Sequence, residues 1–319
     1  MPQVMPAEWE PHARCLMAWI GDDMVSTRLT TAVKVDYGLV ARAIVRFEPL
    51  LVVASPEYGK EAAAYCRGAE VIEHELQGFY LRDSGPSLVR KDDGTLAAVD
   101  FLFNGWGGGT PNATVGEAIA KHLKIERQPV PLVLEGGSFT VNGQGALIAV
   151  EPTVLHENRN PGATRTVFEA AFKEFLGVDM TVWLPNGLVE DRTGGHVDNV
   201  AAFIGLNTVA VQTTTRGDPN HNRLERNREM LEQAGFETVA LPTVYRQWAG
   251  RRIALPYVNF YLGNGCAIVP LALQPSDDEA IATLEKALPD REVVGVPATN
   301  LWRRGGGPHC ITQQQPQDQ

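Results

Sequence analysis

Cysteine is scarce in this chain of 319 residues: Cys15, Cys66, Cys266 and Cys310 are all there are, and no two form a CxxC pair. That spacing argues against a disulfide framework or a structural zinc site and suits reduced thiols in a reducing compartment. Long apolar runs are missing too. No segment reaches the roughly 18 uninterrupted apolar residues of a membrane span. The opening MPQVMPAEWEPH lacks the basic-then-apolar order of a secretory leader, so a cytoplasmic protein is expected. Basic charge is in deficit, with 28 Lys and Arg against 38 Asp and Glu and a formal net charge of -10. This balance opposes attraction to nucleic-acid phosphates or anionic membranes and is better suited to a cationic small molecule. No GxxxxGK[ST] and no GxGxxG opening a helix occur, so nucleotide chemistry is not indicated.

What is present is a 44% hydrophobic chain in which helix and strand patterns alternate from end to end. Val33, Tyr37, Val40, Ile44 and Phe47 recur at three and four residues, the stripe of an amphipathic helix, and the β-rich run LLVVAS follows. Further helices are predicted over 58–67, 113–124, 163–176, 222–234 and 277–288. They lead into AEVIEHEL, PVPLVL, MTVWLP, ETVALP and REVVGV. The alternation predicts an α/β fold. No linker interrupts it, so residues 1–319 read as a single domain with 312–319, TQQQPQDQ, as a frayed polar tail.

Polar clusters recur beyond the β segments: LRDSGP at Asp83, LEGGSF at Glu135, GGHVDN at His196, YVNFYLGN at Asn259 and GGGPHC at Cys310, spaced 51 to 63 residues apart. Such a period suggests five structural repeats, each carrying one cluster at an equivalent position; unrelated loops on ordinary α/β spacing are the alternative.

The clusters hold a thiol, an imidazole and carboxylates, a nucleophile and acid/base set. Cys310 stands among glycines beside an imidazole, where a ligand can approach a thiol closely. His196 and Asp198 are two apart, so on a strand both would face one ligand. A metal pair or a satisfied core histidine would look the same. Asp83 next to Arg82 reads either as a ligand group or as an ion pair in a turn. Glu135 ends an apolar run and so needs a partner, for which His196 is a candidate; a solvated loop is the alternative.

In this order the clusters resemble the agmatine deiminase and bacterial peptidylarginine deiminase family of guanidino-group-modifying enzymes. The similarity runs from MPAEWEPHARCLMAW through RDSGP, LEGGSF, ENRNP, GHVDN and YVNFYLGNGCAIVP to GGGPHCITQQQP. It implies a pentein, a five-unit α/β propeller with pseudo-fivefold repeats around a central active site. It also implies Cys310 as nucleophile, His196 as general acid/base, Glu135 as its partner, and Asp83 and Asp198 as the pair gripping the guanidinium. Tyr80, Arg192, Trp106, Asn259 and Gly307 complete the expected substrate-binding set. No metal or other cofactor is implied; the expected partner is a small guanidino substrate, with a homo-oligomer left open.

The chain departs from that family at the substrate's far end. Arg192 stands where an acidic residue is usual, Tyr80 replaces a Trp, and Gly78 replaces another acidic position. A cation there repels an ammonium and welcomes a carboxylate or neutral group, unless Arg192 turns out to solvent. An amidinotransferase of the same fold, a silent guanidino-compound binder and a metal hydrolase are the rival readings.

Overall fold

The apolar stripe packs inward as its period requires: Val33, Tyr37, Val40 and Ile44 are buried along one face of the helix Thr30–Ile44. The helix lies against its own strand Leu50–Ala54, buried at every position, within a core that also gathers Tyr257, Tyr261, Ile268 and Leu284 from the end of the chain. This computed structural model describes residues 3–24, 30–109 and 114–318. Ala113, the expected first residue of one helix, and Gln319 of the expected tail lie outside the described residues.

Five small sheets repeat one plan, in which a first strand is antiparallel to a second and the second is parallel to a third. A helix crosses from the second strand to the third, as a parallel pair requires. In one unit the strands are Ser87–Lys91, Leu96–Leu102 and Glu126–Val133, with the helix Thr114–Leu123. In the next they are Phe139–Val141, Ala146–Val150 and Met180–Leu184, with Arg165–Leu176. Ala201–Gly205, Thr208–Thr213 and Glu237–Trp248 with His221–Gln233 form another. Tyr261–Gly263, Cys266–Leu271 and Glu292–Pro297 with Ser276–Ala287 form a further one. The strand Glu237–Trp248 runs past its expected end and turns back as Arg251–Pro256, forming a hairpin.

The remaining unit corrects the expected tail. Thr312–Pro316 is a strand, antiparallel to His12–Ala18, which is itself parallel to Leu50–Ala54. The end of the chain thus supplies the first strand of the unit that its beginning starts. Thr312, Gln313 and Gln314 are buried despite their polarity. The reason is the buried Arg82 guanidinium: its Nη1 donates to Gln313 Oε1 at 2.7 Å and Gln314 Oε1 at 3.0 Å. The amides that read as solvated are the acceptors a buried cation needs.

Candidate active site

Each polar cluster occupies one structural position, the turn just before the first strand of a unit. Asp83 lies in the turn Leu81–Ser84 before Ser87, and Glu135 begins the turn Gly136–Ser138 before Phe139. His196 begins the turn Val197–Asn199 before Ala201. Asn259 precedes Tyr261–Gly263, and Cys310 precedes Thr312–Pro316. His196 and Asp198 therefore sit on a tight 3-10 turn rather than on the expected strand. They still reach one place, because the turns converge.

Gly137 marks the point of convergence. A methyl group there would stand 2.6 Å from His196 Nδ1, 2.8 Å from Asp83 Oδ1 and 2.9 Å from Asp198 Oδ2, so only glycine fits. Its N–H donates to Asp83 Oδ1 at 3.0 Å, and the Trp106 indole donates to Asp83 Oδ2 at 2.9 Å. Trp106 holds a left-handed backbone, φ 58°, a conformation an aromatic residue adopts only under constraint.

Around the thiol, Asn259 Nδ2 donates to Cys310 Sγ at 3.1 Å and the thiol donates to Asp198 Oδ2 at 3.2 Å. Asn259 Oδ1 accepts from Gly307 N at 3.0 Å and Cys310 N at 3.4 Å, which fixes the glycine loop. The imidazole noticed beside the thiol in sequence, His309, contacts Asp198 instead, Nδ1 to Oδ2 at 3.0 Å.

Glu135 differs from expectation. Its carboxylate accepts from Arg159 Nε at 2.8 and 3.0 Å, and no hydrogen bond joins it to His196. The buried acid is neutralised by a cation from the ENRNP segment, so it reaches His196 through charge alone. The His196 ring faces Asp83, with Nδ1 to Oδ1 at 3.6 Å. Both ring nitrogens of His196 and Asp198 Oδ1 are buried without hydrogen-bond partners, which leaves them free to bond a polar ligand.

Burial raises the Cys310 thiol well above its ordinary value, and Asp198 and Asp83 push it further, so the resting group is a thiol. Burial also raises Asp83, to about 6, with Asp198 and Glu135 adding to the effect against His196. For His196, burial opposes charge but Asp83, Asp198, Glu135 and Asp191 outweigh it, and the imidazole is raised.

A cavity of about 320 Å³ reaches Cys310 and Asp83, with Tyr80, Trp106, Arg192 and Arg304 on its walls. Arg192 is exposed and also lines a neighbouring cavity of about 410 Å³ that holds Trp302 and Arg252. Tyr80 is tied down by its hydroxyl, which donates to Arg304 O at 3.0 Å.

Sequence reasoning missed Arg159 and Asp191 as site residues. Asp191 braces the His196 turn by accepting from His196 N at 3.0 Å and Asn199 Nδ2 at 2.9 Å. Only the ENRNP motif hinted at Arg159. Among the described residues no group of three or more His, Cys, Asp and Glu is placed to hold a metal ion, and no helix is long and apolar enough to cross a membrane.

A five-unit ring whose turns join a thiol, an imidazole and carboxylates defines the pentein class of guanidino-group-modifying enzymes. Residues 4–316 match the family described as Porphyromonas-type peptidyl-arginine deiminase. The chain is 34% identical to a putative agmatine deiminase of Legionella pneumophila strain Paris, over 98% of this chain and 95% of the relative. It is 35% identical to the agmatine deiminase of Pseudomonas aeruginosa strain UCBPP-PA14, again over 98% and 95%. A C. jejuni agmatine deiminase structure with substrate bound superposes with a TM-score of 0.94 at 27% identity, covering 100% of this chain and 97% of that one. The chain belongs to the Porphyromonas-type peptidyl-arginine deiminase family and is an agmatine deiminase-like guanidine iminohydrolase.

Proposed function

We propose that the chain hydrolyses a small guanidino compound to its ureido product and ammonia through a covalent intermediate on Cys310. The observation that carries the reading is the convergence of Asp83, His196 and Asp198 over Gly137 beside the Cys310 thiol. A guanidinium is a planar fork of N–H donors that carboxylates match, and Asp83 and Asp198 are the pair to grip it. Its positive charge offsets the two anions that keep the thiol protonated.

The Cys310 proton passes to His196 and the thiolate adds to the guanidinium carbon. His196 returns the proton to one amino group, which departs as ammonia and leaves an amidino-thioether. Water then loses a proton to His196 and adds to the same carbon; the C–S bond breaks, the hydroxyl proton goes to ammonia, and His196 reprotonates the thiolate. Glu135, neutralised by Arg159, supports the imidazolium through charge.

Asp83, at the guanidinium end, is the only carboxylate on the cavity wall among the described residues, whereas Arg192 and Arg304 add two cations to that wall. This favours a substrate whose far end is a carboxylate or a neutral group. The relatives named agmatine deiminases favour agmatine, whose far end is an ammonium.

The experiment is a panel of agmatine, free arginine, a peptide ending in arginine, guanidinopropionate and guanidinobutyrate, scored for ammonia and ureido product. No ammonia from any member sinks the hydrolase reading, and product formed only with an added amine identifies an amidinotransferase. A wide kcat/KM margin for agmatine removes the carboxylate-end assignment.

A further inference from the structure

Two imidazoles lie at the site, and the chemistry above uses only His196. His309 is buried and both of its ring nitrogens face carboxylates: Nδ1 lies 3.0 Å from Asp198 Oδ2, and Nε2 lies 3.0 Å from Glu8 Oε1. A neutral imidazole has one N–H and can donate to only one of them, leaving the other carboxylate against a lone pair. Acceptors on both sides therefore select the doubly protonated ring.

The groups facing His309 come from three elements: Glu8 from the first segment, Asp198 from the turn Val197–Asn199, and Arg82 from the turn Leu81–Ser84. Burial and Arg82 oppose a charge on the ring, but Glu8 and Asp198 outweigh them and raise its pKa. Glu8 is secured as an anion: burial would raise it, yet Arg82, donating to Oε1 at 3.0 Å, and His309 hold it at about 2. Arg82 Nε donates to the His309 carbonyl at 3.3 Å, which closes the cluster.

Asp198 receives the effect. Its Oδ2 accepts from His309 and from the Cys310 thiol, whereas its Oδ1 is buried and unpartnered. Burial would raise its pKa, but the His309 hydrogen bond and charge lower it.

We propose that His309 is a positioning residue, a buried imidazolium clamped between Glu8 and Asp198. It holds Asp198 as an anion, with one oxygen on the thiol and the other open to the guanidinium. The proposal rests on the assignment of Asp198 to guanidinium binding. Glu8 bonds His309, and His309 bonds Asp198, so both act through Asp198. Without the resident cation Asp198 could take the thiol's proton and lose the charge that binds substrate. The clamp makes that transfer unfavourable and leaves His196 as the acceptor.

The test is imidazole NMR on 15N-histidine-labelled protein, with kinetics on Glu8→Gln. His309→Gln assigns the His309 ring by the signals it removes; if it does not fold, the signals that shift in Glu8→Gln assign the ring instead. Both nitrogens of His309 should be protonated at pH 7, with the ring titrating above the ordinary imidazole range and the midpoint falling in Glu8→Gln. A neutral ring at pH 7 overturns the proposal. In Glu8→Gln the KM should rise about tenfold with kcat changed less, since the lost function is substrate grip. Glu292→Gln, which alters an exposed acid paired to exposed Arg46, should leave both unchanged. An unaltered KM in Glu8→Gln overturns the proposal. Wild-type protein that releases no ammonia from any guanidino compound sinks the proposed function instead, and the imidazole signals still decide the charge of His309.

Discussion

At the scale of single residues, the site holds charge in tension, and Asp83 is where that tension can be measured. Its folded pKa of about 6 lies above the ordinary 3.8. Protonation of Asp83 therefore favours the fold: the contribution is full below about pH 4 and lost as pH rises through about 6. At neutral pH the buried anion costs stability. Asp83→Asn should raise Tm by about 1–2 °C at pH 7.5, for a gain of about 1 kcal/mol in a chain of this size. The gain should shrink as pH falls below about 6 and vanish below about pH 4, as thermal melts at pH 7.5 and below pH 4 would reveal. The same variant should lose at least about a hundredfold in kcat/KM, because half of the guanidinium grip is gone. In the wild type, kcat/KM should fall as pH drops through about 6, approaching about tenfold per unit. A profile flat from pH 7 to 5 would contradict the assignment of Asp83. Cys310→Ala should abolish ammonia release with an unchanged melting temperature.

The residues that touch the thiol were legible because each is a chemically expressive type in a glycine- or proline-marked turn. Their neighbours were not. Glu135 finds Arg159, a residue 24 positions away, and nothing in the local sequence around either residue distinguishes a buried ion pair from two solvated charges. The orientation of His309 is set by Glu8, a residue 301 positions away, which no local pattern encodes.

At the scale of elements, the helices were readable from their apolar stripes and the strands from their β-branched runs, since both signals are local periodicities. The strand Thr312–Pro316 defeated the same logic, because polarity normally signals exposure and here it serves a buried guanidinium. Removing residues 312–319 should leave Arg82 without its amide acceptors and unpair His12–Ala18, so the product should be insoluble or molten by near-ultraviolet circular dichroism. Removing only Asp318 and Gln319 should leave activity and Tm unchanged.

For the molecule as a whole, both ends of the described chain meet at one strand. Gln3 pairs with Lys91, and Gln317 O accepts from Arg90 Nη2 at 3.2 Å. A circular permutant joined there by a short Gly/Ser linker, and opened at the exposed hairpin tip Ala249–Gly250, should keep kcat/KM within about threefold of the parent. Collapse of its activity would mean that the connection through Trp248 and Arg251 does more than extend a sheet. The repeat period was visible in the spacing of the clusters, whereas the pairing of the first and last segments was not, because a ring has no marker in a linear text.

Because Cys310 lies just before the strand that pairs with His12–Ala18, the proposed nucleophile is synthesised after the other four clusters. A growing chain can carry four of the five turns and their carboxylates while it still lacks both the thiol and the strand that fixes it. Reactivity and ring closure are thus completed by the same few residues. Under the proposed function, an unfinished copy of this protein has no thiol with which to attack a guanidinium carbon.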